Sequence, residues 1–174
     1  VVFVIKKVFV SIIFGVSLFG LSFDYDTFEA SFTQTIKNKS GKKIEYSGRV
    51  VAKKPNLALW EYTKPVKKTV YINSDNVIVY EPALAQAKYL KKRGSLSLES
   101  ILAKAKLDTE NEYTAKDGDV TYRFSVSNNM IEKLTYKDSL ENDTEIIFAN
   151  RKKNTNVSSA VFTFNPPPDI DILK

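Results

Sequence analysis

A repeated cadence constrains this chain most: short segments of alternating apolar and polar residues, each closed by turn residues. The plainest case puts Val120, Tyr122, Phe124 and Val126 on one side and Thr121, Arg123, Ser125 and Ser127 on the other. Asp117-Gly118 precedes it and Asn128-Asn129 follows it, and each pair is a strong hairpin signal. The same cadence predicts strands over 32–38, 43–52, 57–62, 68–73, 77–80, 130–137 and 144–150. A last strand is expected over 158–165, stopped by Pro166, Pro167 and Pro168. So many short, mostly antiparallel strands imply a mainly β fold with some α: one large curved sheet, or an open and unclosed β-barrel.

Two stretches depart from the alternation. Leu98, Ile101, Leu102 and Ala105 recur at helical spacing behind Ser95 and Ser97, which predicts a short amphipathic helix. Tyr25, Phe28 and Phe32 show a weaker version of the same period. Two helices set into the mouth of a strongly curved sheet would let both bury their apolar faces.

Two of the predicted strands are apolar on both faces. Ala58, Trp60 and Tyr62 alternate with Leu57, Leu59 and Glu61, and Val77 and Val79 alternate with Ile78 and Tyr80. A sheet covered on one side only should alternate cleanly between polar and apolar residues. Either both sides are buried in a solid core, or one side is an apolar lining that can take a ligand. Trp60, the only tryptophan, fits either reading.

Residues 1–22 have the form of a signal peptide. Lys6 and Lys7 precede an uncharged stretch over 8–21, and Gly20 and Ser22 supply a small-x-small cleavage site. Residues 23–174 are then expected to form one exported domain, with no linker or low-complexity run to divide them. The chain has 26 basic and 20 acidic residues, a mild excess that favours anionic partners or membrane surfaces without naming one. It contains no cysteine, so core packing alone must hold the fold and no disulfide can assist.

Histidine is absent as well. Ser-His-Asp and Cys-His mechanisms, the usual nitrogen and sulfur zinc sites and a near-neutral imidazole base all fall away. The carboxylates cluster in turns such as Glu141-Asn142-Asp143, and no phosphate-binding or calcium-loop pattern occurs. The expectation is a protein that is not an enzyme and uses no cofactor or metal. Basic doublets and triplets at Lys67-Lys68, Lys91-Lys92-Arg93 and Arg151-Lys152-Lys153 read as solvated loops. With no aromatic RNA-binding motif beside them, no nucleic acid partner is expected.

A series of landmarks adds to this. It runs F-T-Q at 32–34, G-x-V at 48–50, K-K-P-N-L-x-x-W-x-Y at 53–62, Pro65, Y-E-P at 80–82 and F-T-F-N-P-P at 162–167. In order and spacing it resembles the periplasmic outer-membrane lipoprotein carrier (LolA) family. The resemblance implies a monomeric periplasmic chaperone whose open β-barrel is covered by short lid helices. It would accept the acyl chains of lipoproteins from an inner-membrane ATP-driven extractor and deliver them to an outer-membrane lipoprotein receptor. A periplasmic carrier of a free lipid or apolar small molecule, and a lipid-sensing regulatory domain, are the alternatives.

On that resemblance the acyl chains are expected to lie against Val50, Ala52, Ala58, Trp60, Tyr62, Val70, Ile72, Val77 and Val79. Leu57 and Leu59 join the list because the facing of that strand is open by one register step. Ala58 stands where relatives often carry a large aromatic residue, which would leave the pocket roomier or move its lining to Leu57 and Leu59. Phe28, Phe32, Leu98, Ile101 and Leu102 would belong to the lid. Lys54 stands at a position that is basic in the family, commonly Arg, and would latch the lid by bonds to its carbonyls, though a lysine lacks the planar fork of an arginine.

Overall fold

The structure is a computed structural model that describes residues 25–73, 76–91, 105–138 and 140–174. Among the described residues, twelve strands form one sheet. In chain order they are β1 (Thr27–Lys37), β2 (Lys43–Lys53), β3 (Leu57–Lys64), β4 (Lys68–Ile72), β5 (Asn76–Glu81), β6 (Gln86–Lys91), β7 (Lys106–Thr109), β8 (Glu112–Asp117), β9 (Val120–Ser127), β10 (Met130–Lys137), β11 (Asp143–Lys153) and β12 (Asp171–Leu173). Across the sheet they run β12-β6-β5-β4-β3-β2-β1-β11-β10-β9-β8-β7. Two antiparallel meanders, β1 to β6 and β7 to β11, are therefore joined where β1 pairs with β11. Among the described residues the sheet does not close. Its ends are β7 and the short β12, which pairs in parallel with β6.

Turn chemistry explains much of the meander. Asn128 and Asn129 both have positive φ, 53° and 56°, as a two-residue turn with right-handed strand twist requires, and asparagine tolerates this best after glycine. The turn expected at Asp117-Gly118 sits one residue later, at Gly118-Asp119, with Gly118 at φ 56°.

The sheet curls about one face. Trp60 on β3 and Phe148 on β11 lie three strands apart, roughly 14 Å on a flat sheet, yet their ring centroids are 6.1 Å apart. Phe32 on β1 fills the space between, 5.0 Å from both Trp60 and Tyr62 in edge-to-face contacts. The large core cluster on this concave face draws on both meanders, including Phe28, Val50, Phe124, Ile131, Leu134 and Phe148.

Two sequence expectations are corrected. Tyr25, Phe28 and Phe32 form no helix: Phe28 and Phe32 lie on β1, where Phe28, Ala30, Phe32, Gln34 and Ile36 are buried in strict alternation. A spacing of four residues satisfies a period of 2 as well as one of 3.6, and the alternating residues between decide for strand. Residues 158–165 form no ladder either. Ser158 caps a 3-10 turn over Ser159–Phe162, and the chain then crosses the convex face before β12. No α-helix occurs among the described residues, so the lid helix expected around Phe28 and Phe32 is not present. Leu98, Ile101 and Leu102, like residues 1–22, lie outside the described residues. No helix among the described residues is long and apolar enough to cross a membrane.

Candidate functional site

Strand alternation sorts the expected lining into two groups. Val50, Ala52, Ala58, Trp60, Tyr62, Val70, Ile72, Val77 and Val79 all join the concave cluster and are at most 5% exposed. The register makes them contiguous: Val50 pairs with Trp60, Ala52 with Ala58, Ala58 with Ile72, Trp60 with Val70, Ile72 with Val77 and Val70 with Val79. The remaining two face the other way. Leu59 packs with Val51 and Phe162 in a separate cluster, with Leu57, Tyr71 and Val157 against it.

This second cluster explains why β3 and β5 are apolar on both faces. The C-terminal segment lies over the convex side, with Phe162 buried against Leu59 and Phe164 set 5.2 Å from the Tyr71 ring and 5.3 Å from that of Tyr80. F-T-F-N-P-P is thus an anchor for the outer surface rather than a strand. Sequence reasoning could have found it in the outward-facing Leu57, Leu59, Ile78 and Tyr80, which need a cover.

The concave face changes in character along β3. Near Ala58 the face is apolar throughout: Ala52 pairs with it from β2 and Ile72 from β4, and Phe28 pairs with Ala52 from β1. The middle holds the aromatic group of Phe32, Trp60 and Phe148, where Trp60 Nε1 is buried without a hydrogen-bond partner among the described residues. Toward Tyr62 the face turns polar. The Tyr62 hydroxyl donates to Gln34 Oε1 at 3.2 Å, and Gln34 is 1% exposed.

Lys68 is the residue that sequence reasoning missed. The Lys67-Lys68 doublet reads as solvent-facing, but only Lys67 is exposed, while Lys68 is 3% exposed on β4 and paired with Tyr62. Its ammonium lies 4.0 Å from the Tyr62 ring centre and 5.5 Å from that of Tyr46, in cation–π contact. Desolvation lowers its pKa to about 8, with the Glu81 carboxylate opposing the shift. The available signal was its phase: Lys68 shares the two-residue period of Val70 and Ile72.

That burial predicts a stability profile with pH. An unfolded lysine titrates near 10.4, so between about pH 8 and 10 the unfolded chain binds more protons than the fold, and stability rises with pH. Above about pH 10 the trend reverses, because burial holds Tyr62 and Tyr136 protonated in the fold while they ionise in the unfolded chain. Urea denaturation across this range should show the maximum, and Lys68→Met should abolish the rise below pH 10. A profile identical in both proteins would contradict it.

Lys54 lies in the turn between β2 and β3, exposed at the alanine end of the face, and its backbone N–H donates to the Asp26 carbonyl at 2.9 Å. The structure brings together nine of the eleven expected lining residues. Phe28 and Phe32 are found in the wall of the concave face and not in a cover. Of the basic groups, Arg151 is structural: it donates to the Ser127 and Met130 carbonyls, each at 3.1 Å, and so fastens the β9–β10 turn to β11.

Residues 24–122 match the family model described as outer membrane lipoprotein carrier protein LolA. An outer-membrane lipoprotein carrier protein of Wolinella succinogenes is 36% identical over 149 residues, covering 85% of this chain and 87% of its own. One from Campylobacter jejuni is 34% identical over 170 residues, covering 97% of this chain and 99% of its own. Among solved structures, an uncharacterized conserved protein from Thermus thermophilus superposes with a TM-score of 0.56 over 86% of this chain and 90% of its own, at 14% identity. A LolA superfamily protein from Nitrosomonas europaea superposes with a TM-score of 0.50 at 12% identity, over 82% of this chain and 92% of its own. At such identities these two speak for the fold alone. Family match, relatives along nearly the whole chain and an unclosed sheet with an apolar concave face agree, and the chain belongs to the LolA family of outer-membrane lipoprotein carrier proteins, which are carriers and not enzymes.

Proposed function

We propose that this protein is a periplasmic chaperone that holds lipoproteins by their acyl chains against the concave face. It would take them from an inner-membrane ATP-driven extractor and hand them to an outer-membrane receptor. The observation that carries the reading is the contiguous apolar patch from Val50 and Ala52 through Ala58 and Trp60 to Val70, Ile72, Val77 and Val79. Burying one methylene contributes roughly 0.8 kcal/mol, so a multi-chain anchor offers ample binding energy. Release then depends on the cargo-free state recovering a comparable amount. The aromatic contacts among Phe32, Trp60 and Phe148 supply part of that when no chain lies between them.

A fluorescent fatty-acyl probe should bind saturably, about one to one, and change the emission of Trp60. No saturable binding together with indifferent Trp60 emission would leave a solid core and end the carrier reading. Mass analysis of protein isolated from its periplasm separates cargo types: an acylated polypeptide supports lipoprotein transport, whereas a free lipid supports a lipid carrier.

Lys54 is proposed as the charged donor that stabilises the cargo-free state. Losing one charge-assisted bond costs about 1.5–3 kcal/mol, on the order of a tenfold to hundredfold shift toward the open form. Lys54→Leu should accept lipoprotein normally and deliver it poorly to acceptor membranes, while Lys54→Arg should deliver at least as well as the parent. Unchanged transfer in both variants would mean that Lys54 is only a solvated turn residue.

A further inference from the structure

The carrier reading leaves a buried cation unexplained. Lys68 projects into the concave face in phase with Val70 and Ile72, and it is 3% exposed. Desolvating an ammonium is costly, and well-packed hydrophobic residues would serve stability at least as well. A wall that only had to be apolar would not place a lysine there. Around it stand the Tyr62 and Tyr46 rings, with Gln34 reached through the Tyr62 hydroxyl and the Glu81 carboxylate acting from β5. Two residues from Tyr62 along the same face, the buried Trp60 N–H has no acceptor among the described residues. Donors thus run from the Lys68 end to the middle of a face whose other end, at Ala52 and Ala58, is apolar.

We infer that Lys68, with Tyr62 and Trp60, forms a subsite for the carbonyl-bearing end of an acyl chain, whose hydrocarbon runs along the concave face toward Ala52 and Ala58. The ligand chemistry is a carbonyl oxygen on a long alkyl chain, as the carboxylate of a fatty acid or the ester of an acylated protein. This deepens the carrier reading and rests on it, since Lys68 is reached only when the concave face opens. It gives the bound chain a direction, which uniform apolar burial cannot do.

Dodecanoate, methyl dodecanoate and dodecane, which share chain length and differ in the head, test this by displacement of the fluorescent acyl probe. In the wild type, dodecanoate should bind at least about tenfold more tightly than dodecane, the scale of one charge-assisted hydrogen bond. In Lys68→Met the preference should shrink to within about twofold while dodecane affinity is kept, and Lys68→Arg should retain it. Lys68→Gln, which keeps a donor without the charge, should fall between them and provides a second readout should the methionine variant fail to fold. A wild-type preference for the methyl ester over dodecane points to the acylated-protein linkage, and a preference for dodecanoate alone points to a free acid; either supports the subsite. A head preference unchanged in Lys68→Met and Lys68→Gln overturns it and leaves the carrier reading intact. Failure of all three ligands to displace the probe from the wild type overturns the carrier reading itself.

Discussion

Gly48→Ala is expected to destabilise the fold by about 3 kcal/mol or more, beyond the usual cost of overpacking. Gly48 sits on β2 opposite Tyr62, beside an irregularity at which Ser47 pairs with Lys64 and Thr63 is the extra residue on β3. A Cβ at this position would overlap the Glu61 carbonyl oxygen, lie 2.9 Å from the Glu61 carbonyl carbon and 3.0 Å from Phe32 Cε1. The first two are backbone atoms of the neighbouring strand and cannot rotate away. Relief would require β3 to move, and with it Trp60 and Tyr62. Urea or thermal denaturation checks the cost, which corresponds to a fall in Tm of roughly 10 °C for a domain of this size. Combining Gly48→Ala with Phe32→Ala should not restore stability, since the side-chain contact is the lesser part of the conflict. Near-native stability in Gly48→Ala would show that β2 and β3 are not as closely apposed as described.

The second large effect is expected at Phe32. As part of a mobile cover, its loss would leave stability nearly unchanged and alter only ligand exchange. On β1 it is 3% exposed, lies over Gly48 and meets both Trp60 and Tyr62 edge to face. Phe32→Ala should therefore cost about 4 kcal/mol, within the range for truncating a buried phenylalanine. Phe32→Leu should cost less, because it keeps much of the volume. Trp60 emission in the native alanine variant should shift to longer wavelength as the cavity admits water. An alanine variant as stable as the parent would return Phe32 to the cover.

What could be read from the sequence depended on how much of each strand was buried. β2, β3, β4, β5, β9, β10 and most of β11 carry dense apolar alternation and were legible as strands, and the Asn128-Asn129 turn marked itself by residue type. β7 escaped because all four of its residues are exposed, and β8 because Ala115 alone is fully buried on it. β1 was half legible: its C-terminal part read as strand, while Phe28 and Phe32 obeyed both periods. The concave lining followed from choosing the phase of Trp60, and the same phase rule assigns Leu57 and Leu59 to the outside. The 158–165 stretch was misread because alternation such as Phe162-Thr163-Phe164 also suits an extended segment that crosses strands instead of pairing with them. Lys68 was hidden by its doublet, since composition favours solvent for a lysine pair and only strand phase argues otherwise.

The junction of the two meanders bears on how the chain acquires this structure. Within each meander neighbouring strands are connected locally, but β1 meets β11 across a large sequence separation: Ser31 and Ala149, hydrogen-bonded there, are 118 residues apart. Local hairpins form in microseconds, whereas topologies dominated by distant pairing are slow because loop closure is costly before contacts reward it. One flank of β1 therefore stays unmatched, and Phe28 lacks its contact with Phe148, until β11 arrives. Completion of the core is postponed to the last third of the sequence, and a chain still emerging, or cut short before Asp143, cannot reach the native state on its own.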